Sequence, residues 1–476
     1  MDIREAELIF EAEKEAVVKT LLELHAQVEI FKAQISTLEK KIASLTTNST
    51  TSSKPPSSDG PQVDKPKKRK SRRSRGGQKG HKGYKRELVP VEDVKHFHEY
   101  YPPFCENCGA PLDPQTCEET SDPLRHQTFE LPEIKPIVSE HRCHELGCAC
   151  GHKTRAQLPD GTGQSQFEPG VHGAIAYLTS VHKIGRRGIV EIMKTLFGLP
   201  MCLGSVCNCI ERVSPELEPV VEEARESLSQ SGNLNIDETG WKCKGERRYL
   251  WVFVSPLVVY FSIAASRGAK VLRPVLGSVF KGVITSDDHS AYSSYHKKGI
   301  RQLCWAHMIR KFKGLKESRS SPDAYVFATN MLKEIGHIFG CWHAFREGCI
   351  TRPQLLDATT LMRARMKRYC LKHRNSPDAE VCTRAKRTLA NWNHLFTFLT
   401  HEGVEPTNNA AEQAVRPAVQ WRKLCFGNQS DGGERFTERI LTVTRTCQLQ
   451  GRNSFHFLSE LMEAAFKGLP RPSLLR

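Results

Sequence analysis

Acidic residues stand at three places where apolar patterning stops, and their type suits metal-assisted chemistry on a phosphodiester. Asn235-Ile236-Asp237 and Val283-Ile284-Thr285-Ser286-Asp287 read as strand tails ending in carboxylates. Asn408-Asn409-Ala410-Ala411-Glu412 puts a third carboxylate in the first turn of a helix, with Arg416 four residues on along the same face. Alternation along the first strand sends Leu234 and Ile236 to one side and Asn235 and Asp237 to the other. Asp237 then emerges opposite the buried face, and Glu238 turns away as a neighbouring surface carboxylate. Only one of Asp287 and Asp288 can point into the same site. Each acid also has an ordinary explanation, since Asp is a common turn former at strand ends and Glu412, three residues after Asn409, has the spacing of a capping box.

Taken together with the cysteine turns, the basic arm and the oligomerising helix described below, they suggest phosphoryl transfer on DNA. A phosphodiester repels an anionic nucleophile, so positive charge must meet both the entering and the leaving oxygen, and two Mg²⁺ ions about 3.5–4 Å apart, or Mn²⁺ in their place, supply it. Asp and Glu, with ordinary pKa values of about 3.9 and 4.3, are ionised at neutral pH and offer hard oxygen ligands. Three such groups would leave a two-ion site net positive toward phosphate.

A second set of residues suits zinc. Cys105-Glu-Asn-Cys108-Gly109 has the form of a metal knuckle, and Cys143, Cys148 and Cys150-Gly151 form a second cluster. Gly lets the backbone curl around the ion. Cys105, Cys108, Cys148 and Cys150 are the expected ligands of one structural Zn²⁺, with Cys143, His141 or His144 as replacements because Cys148-Ala-Cys150 is one residue short of an ordinary knuckle. Cys304 and His307 lie at i and i+3 on a helix, but two ligands do not make a site and packing is the preferred reading. On that helix Trp305, Ile309 and Phe312 would hold the sheet while Arg310, Lys311 and Lys313 face DNA phosphates.

The elements that must carry these residues can be read from 476 positions, 39% of them hydrophobic, enough to fill several cores. Val17, Leu21, Leu24, Val28, Phe31, Ile35, Leu38, Ile42 and Leu45 alternate spacings of four and three, a coiled-coil seam that predicts a homo-oligomer. Ser52 to Gly60 has a linker's composition. Lys and Arg total 69 against 53 Asp and Glu, a net charge of +16 that favours a polyanionic partner. Twelve of those cations fall between Lys65 and Arg86, among them Lys67, Lys68, Arg69, Lys70, Arg72, Arg73, Arg75, Lys79 and Lys82, and without them the net charge is only +4. Glycines at 76, 77, 80 and 83 let this arm follow a groove and bind DNA backbone without choosing sequence. Seventeen cysteines with no apolar segment near residue 1 argue against a secreted disulfide framework and for the cytoplasm. Tyr249 to Ser266, divided by Pro256, reads as two buried strands and not as a membrane span. Helical patterning from about 171 to 226 and 324 to 399 flanks these strands, which indicates a mixed α/β core.

In these stretches the chain resembles bacterial DDE transposases of the insertion sequence 66 group. The resemblance is carried by Asp237-Glu238-Thr239-Gly240-Trp241, Ser286-Asp287-Asp288-His289-Ser290-Ala291-Tyr292, Arg301-Gln302-Leu303-Cys304-Trp305-Ala306-His307 and Glu405-Pro406-Thr407-Asn408-Asn409-Ala410-Ala411-Glu412. It continues through Arg416-Pro417, Trp421-Arg422-Lys423 and Gly451-Arg452-Asn453, and reaches back to the seam, the linker, the basic arm and the cysteine turns. It implies a bacterial, nucleoid-associated transposase that cleaves element ends and joins them to target DNA, with Asp237, Asp287 and Glu412 as catalytic metal ligands. Asp287 is taken over Asp288 from the register of Ala291-Tyr292. Arg310, Lys311, Arg416, Arg422 and Lys423 are the expected DNA contacts of that domain, and proteins encoded by the same element are further partners. A zinc-containing DNA-binding regulator without catalysis, or a nuclease that cuts without joining, are the alternatives. The expected layout is a multidomain α+β chain: coiled-coil helix over 1–48, linker and basic arm over 49–95, a zinc-ribbon-like module over 96–165, a helical DNA-binding or connecting region over 166–230, an RNase H-like α/β catalytic domain over 231–460 with a helical insertion at about 315–400, and a tail over 461–476.

Overall fold

The computed structural model describes residues 14–46, 83, 86–159, 165–318 and 321–475. The basic residues at 67, 68, 69, 70, 72, 73, 75, 79 and 82 lie outside the described residues. Helix α1 (Lys14–Thr46) carries the apolar seam. Leu21, Phe31 and Ile35 on that seam are 61%, 60% and 55% exposed in the single chain, so nothing among the described residues buries them.

The chain divides into two compact units, one of them Asp64–Ile137. Its cysteine turn is closed by the Gly109 N–H donating to Cys105 O at 2.9 Å and the Cys105 N–H donating to Ala110 O at 2.8 Å. Gly109 stands at φ +72°, where a side chain would strain the turn. The Cys105 thiol is drawn below its ordinary pKa by N–H groups of Cys108 and Asn107. In the other unit β1 (Glu145–Gly147) and β2 (Lys153–Arg155) form an antiparallel hairpin. The turn between them repeats the motif, with the Gly151 N–H donating to Cys148 O at 2.9 Å and the Cys148 N–H to His152 O at 2.8 Å. The backbone of Cys150 likewise lowers the Cys148 thiol.

Three helices, α2 (Pro169–Ser180), α3 (Arg186–Thr195) and α4 (Leu203–Leu228), precede the sheet. Strand β3 (Asn233–Cys243) pairs antiparallel with β4 (Glu246–Val254) across the turn Lys244-Gly245, whose φ values of +51° and +81° are those of a two-residue hairpin. Strand β5 (Val259–Ala264) extends the meander, as the division at Pro256 suggested. After α5 (Leu272–Leu276), β6 (Val283–Ser286) returns parallel to β3, and after α6 (Ser290–Tyr295), β7 (Arg301–Leu303) lies parallel to β6. The order is β5-β4-β3-β6-β7.

Helices α7 (Trp305–Ser318), α8 (Pro322–Arg346), α9 (Arg352–His373), α10 (Ala379–Ala390), α11 (Trp392–Leu395) and α12 (Thr397–Thr400) follow without a further strand among the described residues. They close around their own core of Trp305, Phe312, Phe327, Trp342 and Phe398. Trp305 Nε1 donates to Leu395 O at 2.6 Å, which ties the end of this helical block back to its beginning. Three long helices complete the chain: α13 (Asn409–Cys425), α14 (Asp431–Leu449) and α15 (Ser454–Lys467).

The sheet is covered on both faces. Leu234, Ile236, Trp251 and Phe253 pack toward α4, α14 and α15. Trp241, Leu250, Val252 and Phe261 meet Ala411, Ala414, Val415 and Ala418 of α13, whose small side chains let the helix lie close. The edge strand is closed by α14: Thr446 and Thr442 hydroxyls accept from Val259 N–H and Phe261 N–H, each at 3.0 Å, and the Glu438 carboxylate accepts from Ile263 N–H. Side chains four apart on a helix thereby match N–H groups two apart on a strand, and the edge is not left open.

Candidate functional site

Parallel pairing of β3 with β6 sets the first two acids side by side. Asn235 is in register with Thr285, so the same register two residues on carries Asp237 to Asp287. Asp237 lies within β3 and not at its tail, because the strand runs on to Cys243 as one arm of the hairpin with β4. It shares its face with the residues that pack on α13, which brings Glu412 in from above.

Asn408 fixes how α13 begins. Its side chain donates to Ile236 O at 2.8 Å and accepts from Asn235 Nδ2 at 3.0 Å, while its N–H meets Cys304 Sγ at 3.1 Å. Asn408, not Asn409, is the N-cap, and its side chain links to β3 in place of a capping box between Asn409 and Glu412. Glu412 is left free to face the acids.

The electrostatics reflect this convergence. Burial first, then the charges of Glu238 and Asp287, raise the Asp237 carboxyl well above its ordinary range, and Glu412 adds to the effect. Glu412 is itself raised by burial and Asp287, against the pull of Arg310 and Arg416. Asp287 Oδ1 accepts from the His289 N–H at 3.0 Å. Asp288 turns elsewhere, with Lys311 Nζ 3.9 Å from its carboxylate and Arg384 of α10 also feeling its charge. Carboxylates that converge in this way offer hard oxygens, which have the chemistry to hold divalent metal.

Glu238 departs from the expectation of a surface carboxylate. It does point to the other face, but there its side chain is 1% exposed. Arg267 pairs with it at 2.7 Å, and the fully buried Tyr292 donates its hydroxyl to the second oxygen. Neither partner was identified from the sequence, since they lie 29 and 54 residues away. Tyr292 entered only as part of the Ala291-Tyr292 pair.

His307 and Cys304 sit beside the third acid. One ligand atom each from Cys304, His307 and Glu412 lies within 4.8 Å of the others. His307 Nδ1 is buried, has no hydrogen-bond partner among the described residues, and lies 3.6 Å from Glu412 Oε1. Burial, followed by Arg310, pushes His307 down to about 4, so it is neutral at pH 7. A second group, Cys243, Asp431 and Glu434, is offset by Lys244 at 3.0 Å from Asp431 and Arg248 at 3.6 Å from Glu434.

The expected DNA contacts of this domain separate into three kinds. Arg310 stands 3.5 Å from Glu412, while Lys311 lies 3.9 Å from Asp288 and feels the charge of Asp287 as well. Arg422 instead donates to Thr239 Oγ1 at 3.1 Å and to Gly240 O, so its guanidinium serves β3. Arg416 and Lys423 are exposed on α13.

Residues 2–87 match a family of unknown function (DUF6444). A curated relative, the uncharacterized protein y4qI of Sinorhizobium fredii, is 25% identical over 283 residues, 54% of this chain and 52% of that protein. The chain thus spans about half the length of the curated relative it matches. Residues 164–435, which hold the sheet, the helical block and all three acids, match the model of the Transposase IS66 family. That stretch is more than half of the chain, and the chain belongs to the Transposase IS66 family.

Proposed function

We propose that the chain is a transposase that cleaves DNA at the ends of its element and joins the freed 3′ ends to target DNA, with Asp237, Asp287 and Glu412 as its catalytic acids. One observation carries the reading: a carboxylate within β3, one just past the end of the parallel strand β6 and one in the first turn of α13 lie close enough that Asp287 raises the pKa of both other members. The strand order, an antiparallel meander followed by two parallel strands, supports an RNase H-like α/β fold for this domain. The long helical block between Asp287 and Glu412 is its insertion.

Asp237, Asp287 and Glu412 would hold divalent metal, Mg²⁺ with Mn²⁺ as a substitute, which when bound sets positive charge against the entering and leaving oxygens of a phosphodiester. Asn408 orients Glu412 toward β3. Arg310 and Lys311 add positive charge for the phosphate, and the exposed Arg416 and Lys423 extend it along α13. Structural zinc belongs at the cysteine turns around Cys105 and Cys108 and around Cys148 and Cys150, with Cys143 in reserve, because the N–H groups aimed at the Cys105 and Cys148 thiols favour thiolate there. DNA is the partner, the seam of α1 makes a homo-oligomer, and proteins of the same element assist.

The test is incubation of the full-length protein with labelled DNA carrying the element ends, with and without Mg²⁺. Cleaved ends and strand-joined products are expected with metal alone. Cleavage without joining would identify a nuclease, and DNA binding with neither product would leave a regulator.

A further inference from the structure

The loop between α2 and α3, the second half of α14 and the start of α15 enclose, against α13, a groove of about 620 Å³. Lys183, Arg445 and Arg452 line it together with Gln448 and Asn453, and no Asp or Glu is among its described lining residues. Its cations are crowded: burial and the neighbouring Arg445 hold the Lys183 ammonium below its ordinary pKa. Like charges gathered in a groove without an acid are unfavourable until an anion enters. Lys183 also stands at φ +60°, a conformation that non-glycine residues seldom adopt and that concentrates at binding sites. It gives one hydrogen bond to Val181 O at 3.0 Å, so an ammonium with three donors keeps two for a ligand.

The groove connects to the acids through a helix defect. Pro417 lies inside α13 and has no N–H, so the carbonyl four residues earlier, Gln413 O, loses its helical partner. Arg445 Nη2 donates to that carbonyl at 3.4 Å. Gln413 is the residue after Glu412. A guanidinium in the groove therefore completes the helix turn that carries the third acid.

We propose that this groove binds backbone phosphate of the DNA strand, at a site distinct from the acid triad and from the basic arm. The inference rests on the reading that the chain acts on DNA. A volume of 620 Å³ exceeds what one free phosphate fills and suits a short run of nucleotide chain.

The experiment measures binding of a fluorescent DNA duplex to the full-length protein over a salt series without divalent metal. Lys183→Gln should weaken binding and lower the log–log salt slope by about 0.9, the value of one phosphate contact. Lys183→Arg should keep the parental slope. Gln448→Glu, at an exposed position whose amide oxygen already accepts from Arg445, sets an acid in the groove without disturbing packing, and should lower the slope by a similar amount. Parental affinity and slope in both Lys183→Gln and Gln448→Glu would overturn the groove and leave the catalytic reading standing. A parent protein that binds no DNA at low salt would overturn both.

Discussion

Burial and the charges of Glu238 and Asp287 hold the Asp237 carboxyl well above the ordinary range, so without metal it keeps its proton at pH values where a free Asp has lost it. A carboxyl raised in the folded state stabilises the fold below its unfolded pKa, about 3.9, and that contribution is lost as pH rises toward the folded value. Asp237→Asn should therefore melt above the parent in metal-free buffer at pH 8, with the difference shrinking toward pH 4. Mg²⁺ should raise the melting temperature of the parent and have much less effect on the variant. Scanning calorimetry across pH, with and without metal, checks both, and a variant melting below the parent at pH 8 contradicts the placement. Alternation along β3 was enough to tell which side Asp237 faces. It was not enough to tell what awaits Glu238 on the other side, because Arg267 and Tyr292 arrive from distant parts of the chain.

At the scale of elements, parallel register and one asparagine assemble the acids. The register required β6 to lie beside β3, which no local pattern specifies; the tail-like look of Asn235-Ile236-Asp237 concealed a strand that continues to Cys243. Patterning did mark the β4–β5 hairpin and the helices on either side of the sheet, since alternation and helical spacing are local. The edge ladder offers a quantitative test. Thr442→Val and Thr446→Val remove the acceptors of Phe261 N–H and Val259 N–H while nearly preserving shape, and each should destabilise the domain by about 1–3 kcal/mol in urea denaturation. Parental stability in the double variant would mean the edge finds other acceptors. For the cysteine turns, replacing Cys105 and Cys108 together by Ser should remove one zinc per chain by atomic spectroscopy, and unchanged zinc content would remove the metal from this region.

Across the whole molecule, the region that matches the Transposase IS66 family is accompanied by a helix whose apolar seam meets no partner among the described residues. Leu24 and Phe31 remain 36% and 60% exposed, as expected if a second copy buries them. Replacing both by Lys should convert the isolated 1–48 segment from an oligomer to a monomer in sedimentation, and an unmodified segment that is already monomeric at high concentration would show that the seam docks elsewhere. The family was legible because its motifs are short, local and ordered along the chain; the assembled site was not, since the helical block between Asp287 and Glu412 must fold back to bring them together. Among the described residues no helix is long and apolar enough to cross a membrane. The most direct measurement is Mg²⁺-dependent cleavage of labelled element ends by the parent, Asp237→Asn, Asp287→Asn, Glu412→Gln and Asp288→Asn, with DNA binding recorded alongside. The first three variants should lose cleavage by several orders of magnitude while still binding DNA, and Asp288→Asn, whose carboxylate pairs with Lys311, should retain substantial activity. Parental cleavage by Asp237→Asn, Asp287→Asn or Glu412→Gln would contradict the triad.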